Sequence, residues 1–135
     1  MADTFQLEIV TPEKMVVKTS AEEVQIPGAD GYLGVLPGHA PLITELSSGE
    51  LTYRSGAEMQ HFAVASGFAE VLPDRVIVLA ESAERPAEID VARARESKER
   101  AEKLLNSGDP QVDYTRAELA VRRAETRIAV AAEKN

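Results

Sequence analysis

Arginine recurs in this sequence at intervals that a helix would turn into faces. Asp90, Arg93, Ser97 and Arg100 are spaced by 3, 4 and 3 residues, and Arg116, Arg123 and Arg127 by 7 and 4. In a helix each set lies on one side. If the two sides meet, four or five guanidiniums converge beside one carboxylate. Arginine holds phosphate oxygens two at a time, so such a cluster suits a polyphosphate. The same spacing also allows plain pairing within each helix: Asp90 with Arg93, Glu96 with Arg100, Glu99 with Lys103 and Glu118 with Arg122. Spacing alone leaves both arrangements open.

Bond-making chemistry finds little to work with. With no cysteine in the chain, disulfides and thiolate nucleophiles are excluded. There is no Gly-x-Ser-x-Gly, no P-loop lysine motif and no Gly-x-Gly-x-x-Gly opening a helix. The two histidines, His39 and His61, lie in strand or turn context without cysteine or a nearby acidic ligand pair, so neither a catalytic site nor a metal site is expected. The glycine-rich "GADGYLGVLPG" leads into strand-like residues, so it offers no helix N-terminus to a phosphate. His39, inside "GYLGVLPGHAPLI", reads as a structural or contact residue beside a Pro-Gly turn.

The elements that must position these residues change character near residue 86. Before it come short β-type runs: "FQLEIV", "KMVVK", "AEEVQIP", "GYLGVL", "PLITEL", "ELTYRS", "HFAVAS", "FAEVLP" and "RVIVLAE". Turn formers punctuate them, among them Pro27–Gly28, Pro37–Gly38, Gly49, Gly56, Gly67 and Pro73–Asp74. That regularity argues for an all-β sandwich or barrel. After Pro86 the composition turns to Ala, Glu, Arg and Lys, which favours helix. "SGDPQ" interrupts it: Gly108 can stop a first helix and Asp113 can cap a second. The chain therefore divides into a β domain, 1–86, and a helical hairpin, 87–135.

Charge divides at the same place. Residues 1–85 hold 13 acidic and 5 basic side chains, whereas residues 86–135 hold 10 of each. The acidic part should repel nucleic acid and anionic lipid. At 44% hydrophobic the chain can bury a core, and no apolar run reaches the ~20 residues of a membrane span. "MADTFQLEIV" lacks the basic start and apolar stretch of a signal peptide.

The hairpin's apolar face is thin. Helical spacing selects Ile89, Ala94, Ala101, Leu104 and Leu105 in the first helix, and Ala117, Ala120, Val121, Ala124, Ile128 and Ala131 in the second. Alanines bury few methylenes, at about 0.8 kcal/mol each. Such a hairpin can hold loosely to whatever it packs on, or it can be an ordinary pair made rigid by close alanine packing.

Four segments, "GYLGVLPGHAPLI", "SGFAEVLPDRVIVLAE", "IDVARA" and "RAELAVRRAETRI", resemble the epsilon subunits of F-type ATP synthases, in that order and over nearly the whole chain. The resemblance implies an N-terminal flattened β-sandwich of about ten strands and a C-terminal helix–loop–helix. It implies a non-catalytic subunit of the central stalk that links the gamma subunit to the membrane rotor ring of c subunits. The C-terminal helices of the family regulate ATP hydrolysis in the catalytic head of alpha and beta subunits. Asp30, Gly31 and Tyr32 would meet the rotor ring, and His39 would face gamma. Many members carry an acidic residue where this chain has Tyr32, which points to an aromatic or hydrogen-bonded contact with the ring.

The resemblance extends to a regulatory nucleotide. "Ile89-Asp90-Val91-Ala92-Arg93-Ala94" matches the Ile/Leu-Asp-x-x-Arg-Ala pattern associated with ATP binding in several bacterial members. By that match Glu84, Ile89, Asp90, Arg93, Ala94, Arg100, Arg123 and Arg127 would form the site, the adenine near Glu84–Arg93 and the phosphates on the second helix. No cofactor would be required. In an extended state Arg116, Arg122 and Arg123 would meet acidic surface on the beta subunit. The subunit would sit peripherally on the cytoplasmic face of a bacterial inner membrane or its organellar counterpart, with no insertion and no nucleic-acid partner.

Overall fold

The computed structural model describes residues 3–133 and 135. Alternating burial builds its strands. In β1 (Phe5–Val10), Phe5, Leu7 and Ile9 point inward while the residues between them are half-buried. The same period of two runs through β2 (Met15–Ala21), β3 (Glu23–Gly28), β4 (Gly31–Val35), β5 (Leu42–Leu46) and β6 (Gly49–Ser55). It continues in two longer strands, β7 (Glu58–Val71) and β8 (Arg75–Glu84). Pairing follows the order β2-β1-β8-β7-β5-β3-β4, with β6 bridging β3 and β7. All neighbours are antiparallel except β1 and β8. The inward residues form one aliphatic core, from Phe5 to Ala80, with Leu7, Ile9, Ile26, Leu51 and Phe62 fully enclosed. This is a flattened β-sandwich.

Eight strands are described where about ten were expected. The difference lies in β7, which is 14 residues long and serves two partners. Its first half pairs with β6, from Ser55↔Glu58 to Gly49↔Val64, and its second half with β5, from Leu46↔Gly67 to Leu42↔Val71. β8 follows both halves. The change of partner falls at Ser66 and Gly67, whose φ values are 45° and 125°. A Cβ on Gly67 would strike the Leu79 carbonyl oxygen, so the bend requires glycine.

The junction to the helices is tightly held. Arg85 donates from Nη2 to the Val16 carbonyl at 3.2 Å, and its guanidinium lies 5.0 Å from the Phe62 ring centroid. The Arg85 N–H donates to Glu88 at 2.8 Å, and Pro86 is buried at the start of a 3₁₀ turn, Pro86–Glu88. Then follow α1 (Val91–Leu105) and α2 (Tyr114–Ala131). Asp90 caps α1 by accepting from the Arg93 N–H at 3.1 Å, and Asp113 caps α2 by accepting from the Arg116 N–H at 3.0 Å. Between the helices Gly108 takes a φ of 69°, as a helix stop demands.

The helices meet each other through Ala94, Ala101, Ala117 and Ala124, and meet the sandwich through a small patch of Ala63, Ile89 and Val130. Periodicity missed Val130, which faces the sandwich rather than α1. Conversely Leu104 is exposed, and Ala120, Val121, Ile128 and Ala131 are only half-buried. A helix with two neighbours buries two narrow stripes, and a single-face reading averages them. Among the described residues no helix is long and apolar enough to cross a membrane.

Candidate functional site

A cavity of about 790 Å³ opens where α1, α2 and the end of β8 come together. Arg93 and Arg100 reach it from α1, Arg116, Arg123 and Arg127 from α2, and Glu84 from β8. The volume lies within the range of small-molecule sites. Its charge is distinctive: five guanidiniums share the lining with two carboxylates, Glu84 and Asp113. Both carboxylates have partners. Glu84 faces Arg127, Oε1 lying 2.8 Å from Nε and Oε2 accepting from Nη2 at 3.0 Å. Asp113 holds the helix cap. Arg93, Arg116 and Arg123 have no side-chain ion-pair or hydrogen-bond partner among the described residues, and Arg100 donates only to the Ser97 hydroxyl, at 3.3 Å.

The two arrangements that spacing left open can now be compared. None of the four intrahelical pairs forms an ion pair among the described residues; instead Lys98 crosses from α1 to Glu125 on α2 at 3.8 Å. The two arginine sides do meet, because alanine contacts let the helices approach and turn both rows toward β8. The expected carboxylate is corrected, however. Asp90 does not line the cavity but turns to the helix terminus, where a cap satisfies N–H groups that would otherwise lack partners. Glu84 takes its place beside the arginines. Ile89 lies in the apolar patch and Ala94 is enclosed between the helices, so neither lines the cavity. Arg122 is exposed outside it. Arg116 lines it with Arg123 and Arg127, as their spacing in the sequence allows, although the resemblance assigned it to a contact with the beta subunit.

The turn residues fall at two ends of the sandwich. Asp30 and Gly31 are exposed at the β3–β4 turn. Tyr32 lies over Gly49, and its hydroxyl accepts from the Glu50 N–H at 3.2 Å. A Cβ on Gly49 would come within 2.7 Å of Pro27 and 3.3 Å of that hydroxyl. His39 lies four residues past Val35, the last residue of β4, in a loop tied to the β7–β8 turn by the Gly38 N–H donating to Pro73. Its ring is bonded to the Ala40 carbonyl at 2.7 Å. A feature the sequence did not reveal is an apolar outer sheet face: Ile43, Phe68 and Leu79 are all more than half exposed. The register sets Phe68 beside Leu79 and Glu45. The reading that neither histidine has an acidic pair is overturned for His61, which has Glu50 and Glu133 beside it.

This two-part architecture, an acidic β-sandwich followed by an arginine-lined helical hairpin, has counterparts among known proteins. The family model "ATP synthase, Delta/Epsilon chain, beta-sandwich domain" matches residues 4–86, and "ATP synthase, Delta/Epsilon chain, long alpha-helix domain" matches residues 87–132. The chain belongs to the ATP synthase delta/epsilon family. Among curated relatives, an ATP synthase epsilon chain from Koribacter versatilis is 65% identical over 111 residues, 82% of this chain and 78% of the relative. One from Desulforamulus reducens is 49% identical over 131 residues, 97% and 99% of the two chains. A chain in a cryo-EM structure of the Euglena gracilis mitochondrial ATP synthase shares the fold, with a TM-score of 0.84, 23% identity and coverage of 96% and 82%.

Proposed function

We propose that this chain is the non-catalytic epsilon subunit of a bacterial ATP synthase central stalk, coupling gamma to the rotor ring and restraining ATP hydrolysis through a nucleotide-sensitive hairpin. Three surfaces support the coupling role. The Asp30–Tyr32 turn is exposed and backed by a tight Gly49–Pro27 contact, as a joint to the ring must be. Gamma docks on the side of His39 and the apolar face around Phe68 and Leu79. The position is peripheral, on the cytoplasmic face of the membrane.

The observation that carries the regulatory role is the convergence of Arg93, Arg100, Arg116, Arg123 and Arg127 on one cavity. The donor set fits a nucleoside triphosphate, whose phosphates supply the negative charge that Glu84 and Asp113 do not. Ile89 and Asp90 act indirectly, anchoring and capping α1 so that Arg93 faces inward. The cavity exists only while the hairpin is folded back, so ATP binding favours that state in proportion to its affinity difference between the two. In the extended state Arg116, Arg122 and Arg123 meet the beta subunit, and hydrolysis is inhibited. Because Arg85–Ile89 is fixed to the sandwich, the hairpin pivots after Ile89.

The test is a donor–acceptor distance between the sandwich and the C-terminal end during ATP titration of the full chain. ATP should shorten it, and Arg93→Ala should weaken that response about tenfold or more, one charge-assisted contact being about 1.5–3 kcal/mol. A distance that ignores millimolar ATP in the wild type removes the nucleotide switch.

A further inference from the structure

The molecule gathers a second set of donor atoms, away from the arginine cavity. Glu50 on β6, His61 on β7 and Glu133 just past α2 converge at one place. His61 Nδ1 lies 3.3 Å from a Glu50 carboxylate oxygen, and Nε2 lies 3.8 Å from one of Glu133. One donor atom from each residue can be chosen so that all three lie within 4.8 Å of one another.

The convergence has structural causes. The β6–β7 register sets Thr52 opposite His61 and Glu50 opposite Ala63, so Glu50 and His61 are diagonal neighbours on one face. The strand β8 stops short of His61, its last pair being Ala63↔Glu84. Asn135 occupies that open edge: its Oδ1 accepts from the His61 N–H at 2.7 Å and its Nδ2 donates to the His61 carbonyl at 2.8 Å. That clamp brings Glu133 to the ring. On the other side Glu50 is steadied by its N–H bond to the Tyr32 hydroxyl. The His61 side chain is 16% exposed, whereas Glu133 is 49% exposed and has room to move.

Two carboxylates here share one imidazole, and among the described residues no lysine or arginine forms an ion pair with either. A neutral imidazole offers one lone pair and no charge to offset them. One imidazole nitrogen and two carboxylate oxygens are a donor set for Zn²⁺ or a similar borderline divalent ion, with water completing the shell. Tetrahedral ligands around zinc stand about 3.3 Å apart. A cation takes one ring nitrogen, and Nδ1, nearer Glu50, is the one already placed. Glu133, which stands at Nε2 and is half-exposed, would have to swing toward Nδ1 to close the shell.

We propose that Glu50, His61 and Glu133 form a divalent-cation site of the zinc class that fastens the chain's C-terminal end to β7. The site shares no residue with the arginine cavity, and its cation binding is read without nucleotide. Glu133 reaches it only while α2 lies against the sandwich, so a bound cation stabilises the folded-back hairpin by mass action.

Zn²⁺ is titrated into the full chain against a chromophoric chelator, with Co²⁺ absorption and imidazole ¹⁵N shifts as spectroscopic readouts. Saturable binding of one ion is expected, with a shift of the His61 ring signals. His61→Gln should abolish it, and Glu50→Gln or Glu133→Gln should weaken it about tenfold or more. The thermal transition of each apo variant is compared with the apo wild type to separate lost ligation from lost folding. Absence of saturable binding, binding unchanged in His61→Gln, or His61 ring signals that ignore Zn²⁺ would each overturn the proposal, the last by showing a proton in the cation's place.

Discussion

The sandwich and the hairpin are held by different physics. Leu7, Ile9, Ile26, Leu51 and Phe62 are sealed inside the sandwich, with strands paired across both layers. The hairpin is joined by alanines, and among the described residues Ile89 and Val130 are the larger ones buried where it meets the sandwich, against Ala63. At about 0.8 kcal/mol per buried methylene, the first region resists deformation and the second detaches at modest cost. In the proposed role the first property would carry torque and the second would let the hairpin change state. They are segregated on either side of Ile89.

That contrast is most severely tested inside the sandwich. Phe62→Ala should cost about 3–5 kcal/mol, lowering the main denaturant midpoint, because the ring fills the core and stacks on Tyr53 at a centroid distance of 6.1 Å. Should the main transition stay put while only helical signal melts early, the core is not where the stability resides.

Next in size is the bend of β7. Gly67→Ala forces a left-handed φ on alanine and drives its methyl into the Leu79 carbonyl. A loss of about 2–3 kcal/mol is expected, with weakened amide protection in both β5 and β6, the strands on either side of the bend. Protection lost in β5 alone would mean that β7 does not couple the two layers.

The hairpin should respond locally. Val130→Ala removes two methylenes from its small docking patch, about 1.5–2.5 kcal/mol. Hydrogen exchange in α1 and α2 should accelerate roughly tenfold or more, while the sandwich amides and the main midpoint hold. Equal loss in both regions would show them to be one cooperative unit.

The smallest effect is confined to alkaline pH. Burial raises the Tyr53 hydroxyl above its ordinary value of 10.0, with Arg85 opposing the shift. The folded state therefore retains this proton longer than the unfolded chain. The resulting stability is present below pH 10 and is lost as pH rises through the folded-state value. Tyr53→Phe should flatten the alkaline limb of sandwich stability and leave neutral stability within about 1 kcal/mol. An unchanged slope would place the alkaline loss elsewhere.

Much of this was legible in the sequence because it depends on local rules. Alternation marked the strands of the sandwich, composition marked the helices after Pro86, and Asp113 with Gly108 announced where one helix stops and the next begins. The resemblance named the family from four short segments. Periods of 3, 4 and 7 placed the arginines on helix faces. None of these signals encodes distance between elements, and that is where the tertiary structure decided. It turned both arginine rows toward Glu84, a residue on a strand, and assigned Asp90 to a cap. It placed Val130 against Ala63, although a one-face reading of α2 looks only toward α1. It brought residues 50, 61 and 133 together, because strand register and the return of the hairpin set contacts between residues far apart along the chain. Side-chain type and local spacing fix which elements form; which faces meet depends on how the whole chain closes over its core.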